Sequence, residues 1–520
     1  MKLPVKHILQ FFKKRAFFFT LLVVAINIVL GGWTVFNNDI LYKSDVARDF
    51  LLFDELSQKG FILLGPRASG LQGLFHGPLW VYLNYPAYVI GQGNPIVVGY
   101  FWILLNILFL VSSYIVAKKL FNHSVANVYV ILLSAASIFY VNSLFNPYGA
   151  MIVMPIFLYT IIRYSQTLQW KYLLFNLLAL GAIIQFQMAV GLPLLLLTAL
   201  YALFIIWKNK LFKHLLVVPI LILPFSTFIL FDLRHEFGQF NAIVQSFTTE
   251  SSNIYISYAD RIVDRWESMT KRIFFAQGNF SGIINEIVSL FLIFFAYTRL
   301  RAKGDKKNEH RHIIFTILYF YIGFYLITIL FNGLLLLHYT FPVIPLLFLL
   351  FSSMILYMNK KVFFTLLIFL ILVNIHDGII HAQTFVKAKG TELTSWHFQS
   401  QAAKKVFDTA KGEFGYFLYA PDYHAYAQKY AFVYTNTLYP NKKAFLFEKK
   451  PVVYTVVEPA PEGRADLDDT YWIKSMVKIE SKPKNVTTYP NGFTIKEYIL
   501  TEEELKVSPD PQTADWLKYR

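Results

Sequence analysis

The sequence predicts an α-helical polytopic membrane protein. About eleven transmembrane helices are followed by a C-terminal extracytoplasmic α+β domain. Three observations carry this: long apolar runs nearly free of charge, a strict alternation of basic connections between them, and a strand-bearing tail after the last run. Only 15% of the 520 residues are charged and 18% are aromatic, against about 25% charged in ordinary soluble domains.

A helix needs roughly 20 apolar residues to cross the ~30 Å hydrocarbon core. The expected spans are about 16–36, 95–117, 123–141, 147–162, 172–188, 190–207, 214–232, 281–298, 313–331, 339–358 and 361–376. The basic start "MKLPVKHILQFFKKR" precedes an apolar run too long for a signal peptide and without a small-residue cleavage site before Gly31–Gly32. It reads as a retained first span. Residues 79–90, "LWVYLNYPAYVI", are apolar but only 12 long, which suits an interfacial or re-entrant helix.

Short cytoplasmic loops collect Lys and Arg. With the N-terminus, every second connection (118–121, 163–171, 208–213, 299–312, 359–361) holds together 20 Lys and Arg and two acids, a net +18 in a chain of net +16. The N-terminus is therefore expected in the cytoplasm, and the basic excess is an orientation signal that leaves a nucleic-acid partner unsupported. The absence of cysteine excludes disulfide and thiolate chemistry.

This topology sends two large loops, 37–94 and 233–280, and the tail 377–520 to the extracytoplasmic side, leaving 1–376 as the membrane domain. In the tail, "GYFLYA", "PVVYTVVEP" and "FTIKEYIL" read as strands. "SQAAKKVFDTAK" and "EEELK" read as helices, and "SPDPQTADWLKYR" as a frayed end.

Polar residues gather in the loops assigned to the outer face. "SDVARDFLLFDELSQKG" reads as a surface helix with Ser44 as its N-cap. Asp45 and Asp49, at i and i+4, share a face with Arg48 between them. Such a set suits a general base or a divalent cation site. Alternatively, Asp45 answers only the helix dipole while Arg48 pairs with an acid. The same loop carries Arg67 and His76 among glycines. Further along come "LFNPYG", "QFQMAVG", "FDLRHEF" with Arg234 and His235, and "HYTFPVIP" with His338 and Tyr339. Ionisable groups at membrane level are functional candidates by default.

"SDVARDF", "FHGPLWVYL", "LFNPYG", "FDLRHEF" and "HYTFPVIP", in that order over residues 1–376, resemble polytopic glycosyltransferases of the GT-C fold. The likeness is to the bacterial branch related to protein mannosyltransferases and the aminoarabinose transferase of lipid A. The resemblance implies an inverting transfer of a sugar from a polyprenyl-phosphate donor to an acceptor hydroxyl on an envelope glycan, lipid or protein. It implies Asp45 as the catalytic aspartate. Asp49, Arg48, Arg67, His76, Arg234, His235, His338 and Tyr339 become candidates for substrate binding, in a multi-pass protein of the plasma membrane. Two departures stand out: the adjacent Asp-Glu pair of the mannosyltransferases is missing, and Gln187 occupies a position where the bacterial branch often carries histidine. The competing reading is a polytopic transporter or lipid flippase. That class typically shows internal repeats and midplane sites, neither of which is visible here.

Overall fold

The computed structural model describes residues 5–68, 73–248, 257–271, 273–274, 281–301, 308–331, 335–422, 424–464 and 467–515. Charge-free sequence becomes helix wherever it is long enough, because a helix satisfies its own backbone groups in hydrocarbon. Among the described residues, nine helices are long and apolar enough to cross a membrane: Arg15–Phe36, Pro95–Leu120, Asn146–Thr167, Met188–Lys208, Phe212–Arg234, Gly282–Arg301, His310–Ile329, Leu337–Leu356 and Lys360–Ala388. Two expected spans appear as shorter apolar helices, His123–Ser137 and Trp170–Phe186. At 1.5 Å per residue they extend roughly 22–26 Å, short of the ~30 Å core. The helix Leu79–Ile90 has 12 residues, as the sequence suggests.

The chain forms two compact units. The first comprises Met1–Trp33, Ile62–Trp80 and Trp102–Ala382. Here the helix Leu337–Leu356 is 78% buried and Phe212–Arg234 only 6%, so the former is packed on all sides and the latter bares its apolar side chains. Small residues set close approaches: a Cβ on Gly323 would come within 2.5 Å of Leu197. The second large loop contributes the helix Tyr258–Thr270. From it Arg265 donates to the carbonyls of Thr328 and Phe331, and Arg261 to that of Ile329, each at 3.2 Å. These carbonyls lie at and just past the end of the helix Asn308–Ile329, where intrahelical amides run out.

The second unit comprises Thr34–Phe61, Val81–Phe101 and Gln383–Arg520. Its centre is a five-stranded sheet of order β2-β1-β3-β5-β4, with β1 Glu413–Tyr419, β2 Lys443–Leu446, β3 Val452–Val457, β4 Asn485–Thr488 and β5 Thr494–Ile499. β1 runs parallel to β2 and β3, while β5 is antiparallel to β3 and β4. Every residue of β1 after Glu413 is buried, the pattern of a strand covered on both faces. One face packs Phe417, Val453, Trp472 and Tyr498. On the other, Phe414 meets Phe407 of the helix Trp396–Thr409, and Tyr416 stacks at 4.5 Å on Phe432 of the helix Tyr426–Leu438.

Three local expectations change. The last long helix, expected to end at 376, continues to Ala388, since no proline interrupts its helical sequence. Ser44 is the first helical residue and Lys43 the N-cap, with no side-chain cap bond. The C-terminal stretch is docked over part of its length: Asp510 donates its amide to Met476, and Thr513 is buried.

Candidate functional site

Asp45, Arg48 and Asp49 lie in the second unit, on the helix Ser44–Lys59. Apolar residues on most sides sink this helix: Phe50 packs on Phe53 and Tyr430 at 5.2 and 5.1 Å between ring centres, and Tyr42 on Trp396 at 5.1 Å. It stops at Gly60, whose φ of 71° belongs to the left-handed region that glycine enters without strain. Burial of the helix body leaves its two ends accessible, Ser44 and Asp45 at the start and Ser57–Lys59 at the finish. The Asp45 side chain is 43% exposed, while those of Arg48 and Asp49 are 7% and 3%.

Arg48 joins the two acids. Its Nη1 donates to Asp45 Oδ1 at 2.7 Å, and its Nη2 and Nε to Asp49 Oδ1 at 2.9 and 3.2 Å. Burial opposes the guanidinium charge, but Asp49 and Asp45 beside it outweigh that cost and raise its pKa further. The three residues therefore form a fixed acid–cation–acid set, with Asp45 as the member that solvent reaches.

The stretch leading into this helix is anchored by Asp39. Its Oδ2 accepts from Ser395 Oγ at 2.6 Å, and its Oδ1 from the amides of Ile40 and His397, both at 2.9 Å. Burial raises the Asp39 pKa despite these bonds. Tyr42 N–H donates to the Thr394 carbonyl at 2.6 Å. The helix start is thus pinned to the beginning of the sheet domain.

The remaining candidates, Arg67, His76, Arg234, His235, His338 and Tyr339, belong to the first unit, where their motifs interlock. Arg67 is exposed and pairs by backbone with Phe75. His76 is buried, and its Nδ1 accepts the Met188 amide at 3.3 Å, which places the ring proton on Nε2. A Cβ on Gly77 would lie 1.9 Å from Gln185 Oε1, so only glycine permits this approach. Gln187, at the break between the helices Trp170–Phe186 and Met188–Lys208, is fully buried and accepts from Asn146 Nδ2 at 2.9 Å.

Arg234 and His235 are exposed. The His235 ring stacks on Phe231 at 4.0 Å and its Nδ1 donates to the Phe231 carbonyl. Asp232 accepts the amides of Gln239 and Phe240, while Gln239 Oε1 accepts that of Phe75. His338 is half-buried, edge-on to Phe145 at 5.3 Å and to Tyr339 at 4.6 Å. The motifs around Phe75–Gly77, Phe145–Asn146, Gln185–Gln187, Asp232–Gln239 and His338 are therefore joined by direct contacts. Gln239 and Asn146 are linking residues that the sequence reading did not single out, and Asp232 was noted there only as part of "FDLRHEF". The short Asp232–Gln239 spacing across a glycine was the one available sign.

The donor set fits a divalent ion poorly. A guanidinium already lies between the carboxylates of Asp45 and Asp49 and takes the Oδ1 oxygen of each. Among the described residues no group of three or more His, Asp or Glu side chains is placed to hold a metal.

No protein-family model matches the sequence, and no curated protein matches it by sequence. Solved structures do. Crystal structures of ArnT from Cupriavidus metallidurans superpose over almost the whole chain. The form bound to undecaprenyl phosphate has a TM-score of 0.57 at 14% identity, covering 92% of this chain and 98% of that one. The apo form gives 0.56 at 13%, covering 93% and 98%. This chain has the GT-C fold. At such low identity the likeness concerns architecture, and it extends through the C-terminal sheet domain as well as the membrane helices. The Archaeoglobus fulgidus oligosaccharyltransferase in its apo form gives 0.46 at 12% identity over 84% of this chain and 69% of that one.

Proposed function

We propose that the chain is an integral-membrane inverting glycosyltransferase. It moves a sugar from a polyprenyl-phosphate carrier to an acceptor hydroxyl on the extracytoplasmic side. The observation that carries this reading is the Asp45 carboxylate, accessible at the first turn of a helix whose middle is buried and held by Arg48, in a chain of GT-C fold.

Asp45 takes the proton of the acceptor hydroxyl as its oxygen bonds to the anomeric carbon. The bond from that carbon to the phosphate oxygen breaks in the same displacement, which inverts the anomeric centre and releases polyprenyl phosphate. General-base assistance of this kind contributes about 10²–10⁴-fold. Arg48 orients Asp45 and sets a positive charge between the two acids. Asp49 holds Arg48.

Arg67, Arg234 and His235 are exposed cationic or protonatable side chains suited to the charged donor head, since arginine meets phosphate oxygens with two parallel bonds. His338, Tyr339 and His76 are assigned to shaping the donor or acceptor site. The positive charge beside the catalytic carboxylates comes from Arg48 in this reading, and no step passes through a metal. The alternation of basic connections supports a cytoplasmic N-terminus in the plasma membrane, and a tail from 377 that meets an envelope glycan, lipid or protein acceptor.

The test uses purified protein in proteoliposomes with a panel of polyprenyl-phosphate sugars and a crude envelope acceptor. Wild type releases polyprenyl phosphate. Asp45→Asn, folded to the same melting temperature, loses release by at least about 100-fold. Equal release by the two proteins would remove Asp45 as the base. Movement of an intact lipid between leaflets of sealed vesicles, without release, would instead favour a flippase.

A further inference from the structure

A second carboxylate reaches the turn that carries Asp45. Asp422 follows β1, and its two oxygens point in different directions. Oδ1 accepts the amides of His424 at 2.9 Å and Ala425 at 3.2 Å, closing the turn that starts the helix Tyr426–Leu438. Oδ2 accepts from the hydroxyl of Ser44 at 3.0 Å. Ser44 thus gives up the cap position its residue type favours and turns its side chain to Asp422.

The turn is shaped for this purpose. Ala425 holds a φ of +47°, a left-handed conformation unfavourable for a residue with a Cβ. It leads directly into Tyr426, which lies close enough to Arg48 to interact with it electrostatically. The rings of His424 and Tyr426 stack at 4.9 Å with only 2° between their planes. Glu458, just past β3, lies near Asp422 and is held by Gln399 and Gln428. Burial first, and then Asp422, push its pKa up to about 7.

We propose that Asp422 is a positioning residue for the transfer reaction: through Ser44 it fixes the first turn of the helix Ser44–Lys59 and so the direction of the Asp45 carboxylate. The inference rests on the reading of Asp45 as the base. The Ser44–Asp422 bond is exposed and adds little to stability, because water competes for it. The helix body is already seated by Phe50, Tyr42 and Trp396. The bond sets orientation alone, and small misplacements of a reacting group lower rates steeply.

The experiment measures polyprenyl phosphate release by Ser44→Ala, Ser44→Thr, Asp422→Ala, the double variant Ser44→Ala/Asp422→Ala and Asp45→Asn, with the melting temperature of each. The expected result is a fall in kcat of about tenfold for Ser44→Ala, with donor KM and melting temperature unchanged. Ser44→Thr, which keeps the hydroxyl, restores kcat. The double variant is no slower than Asp422→Ala, since both remove one link. Wild-type kcat in Ser44→Ala alongside an inactive Asp45→Asn overturns the positioning role and leaves the function intact. A loss in Ser44→Ala that tracks a lowered melting temperature also overturns it. An active Asp45→Asn overturns the functional reading itself.

Discussion

The Ser395 hydroxyl donates to Asp39 Oδ2 at 2.6 Å across 356 residues of sequence. This bond, with the amides of Ile40 and His397 on Oδ1, closes the second unit around a single buried carboxylate. Asp39→Ala takes the acceptor from the amides of Ile40 and His397, while the Ser395 hydroxyl keeps the Lys389 carbonyl, and each buried orphan costs about 1–3 kcal/mol. We expect a loss of several kcal/mol in the unfolding free energy of the sheet-bearing unit, seen in a denaturant titration, and faster proteolysis between residues 37 and 43. Ser395→Ala removes one donor and should cost about 1 kcal/mol.

Arg48 pairs with a carboxylate whose side chain is 3% exposed. Breaking a buried pair of this kind costs about 3–5 kcal/mol, so Arg48→Ala should be poorly expressed or destabilised by that order. Arg48→Lys keeps the charge but cannot bridge Asp45 and Asp49 at once. It should fold and show a reduced kcat for polyprenyl phosphate release. Wild-type kcat in Arg48→Lys would show that the bridge is dispensable.

Glu458 has its pKa raised to about 7 by burial and by Asp422. The folded protein therefore holds this proton over a pH range in which the unfolded chain has lost it. The unfolded state binds fewer protons there, so stability falls as pH rises from about the ordinary glutamate value of 4.5 to 7. Glu458→Gln removes the ionisation. Its melting temperature should exceed that of wild type at pH 8 and converge with it near pH 5. Parallel curves across that range would contradict the assignment.

Glu504 shows the opposite sign. Burial works to raise its pKa, but bonds from the Thr501 amide, the Ser481 hydroxyl and the amides of Ser481 and Glu480 outweigh it and bring it to about 2. The stabilisation is present in full above the ordinary glutamate value and is lost as pH falls towards 2. Glu504→Gln should lower the melting temperature at pH 7 and have little effect near pH 2. At neutral pH the loss should be about 1.5–3 kcal/mol, the range for hydrogen bonds to a charged group.

The Arg48 guanidinium between Asp45 and Asp49 leads to a prediction about metals. Release of polyprenyl phosphate should persist after exhaustive chelation. Loss on chelation, with recovery on adding back a divalent ion, would mean that the ion displaces Arg48 from at least one acid.

The sequence made the membrane helices legible because spanning hydrocarbon allows few backbone solutions. Even there, His123–Ser137 and Trp170–Phe186 are shorter than their apolar runs suggested. Helix capping by Asn122 sets the start of the first, its side chain accepting from Ser124 and Val125. The helix Ser44–Lys59 and the Asp45–Arg48–Asp49 grouping were legible because i, i+3 and i+4 neighbours follow from helical geometry alone. The partners of that helix were not. Asp39–Ser395, Ser44–Asp422 and Phe50–Tyr430 join residues hundreds of positions apart, and no local pattern encodes such pairings. The same holds for β2 and β4, of four residues each, which are too short to show alternation.

The second unit takes its residues from three separated stretches of the chain, and this orders events during synthesis. The helix bearing Asp45 leaves the ribosome early, but Thr394, Ser395 and Tyr430 arrive more than 340 residues later. At about 5–20 residues per second that interval is roughly 20–70 s. Until it ends, Tyr42 and Phe50 have no aromatic partners from the tail and Asp39 no hydroxyl. A truncated or stalled chain would accordingly carry Asp45 on an unanchored segment. Synthesis of the stretch from Gln383 onward, about a quarter of these residues, thereby acts as a checkpoint for ordering the Asp45 carboxylate.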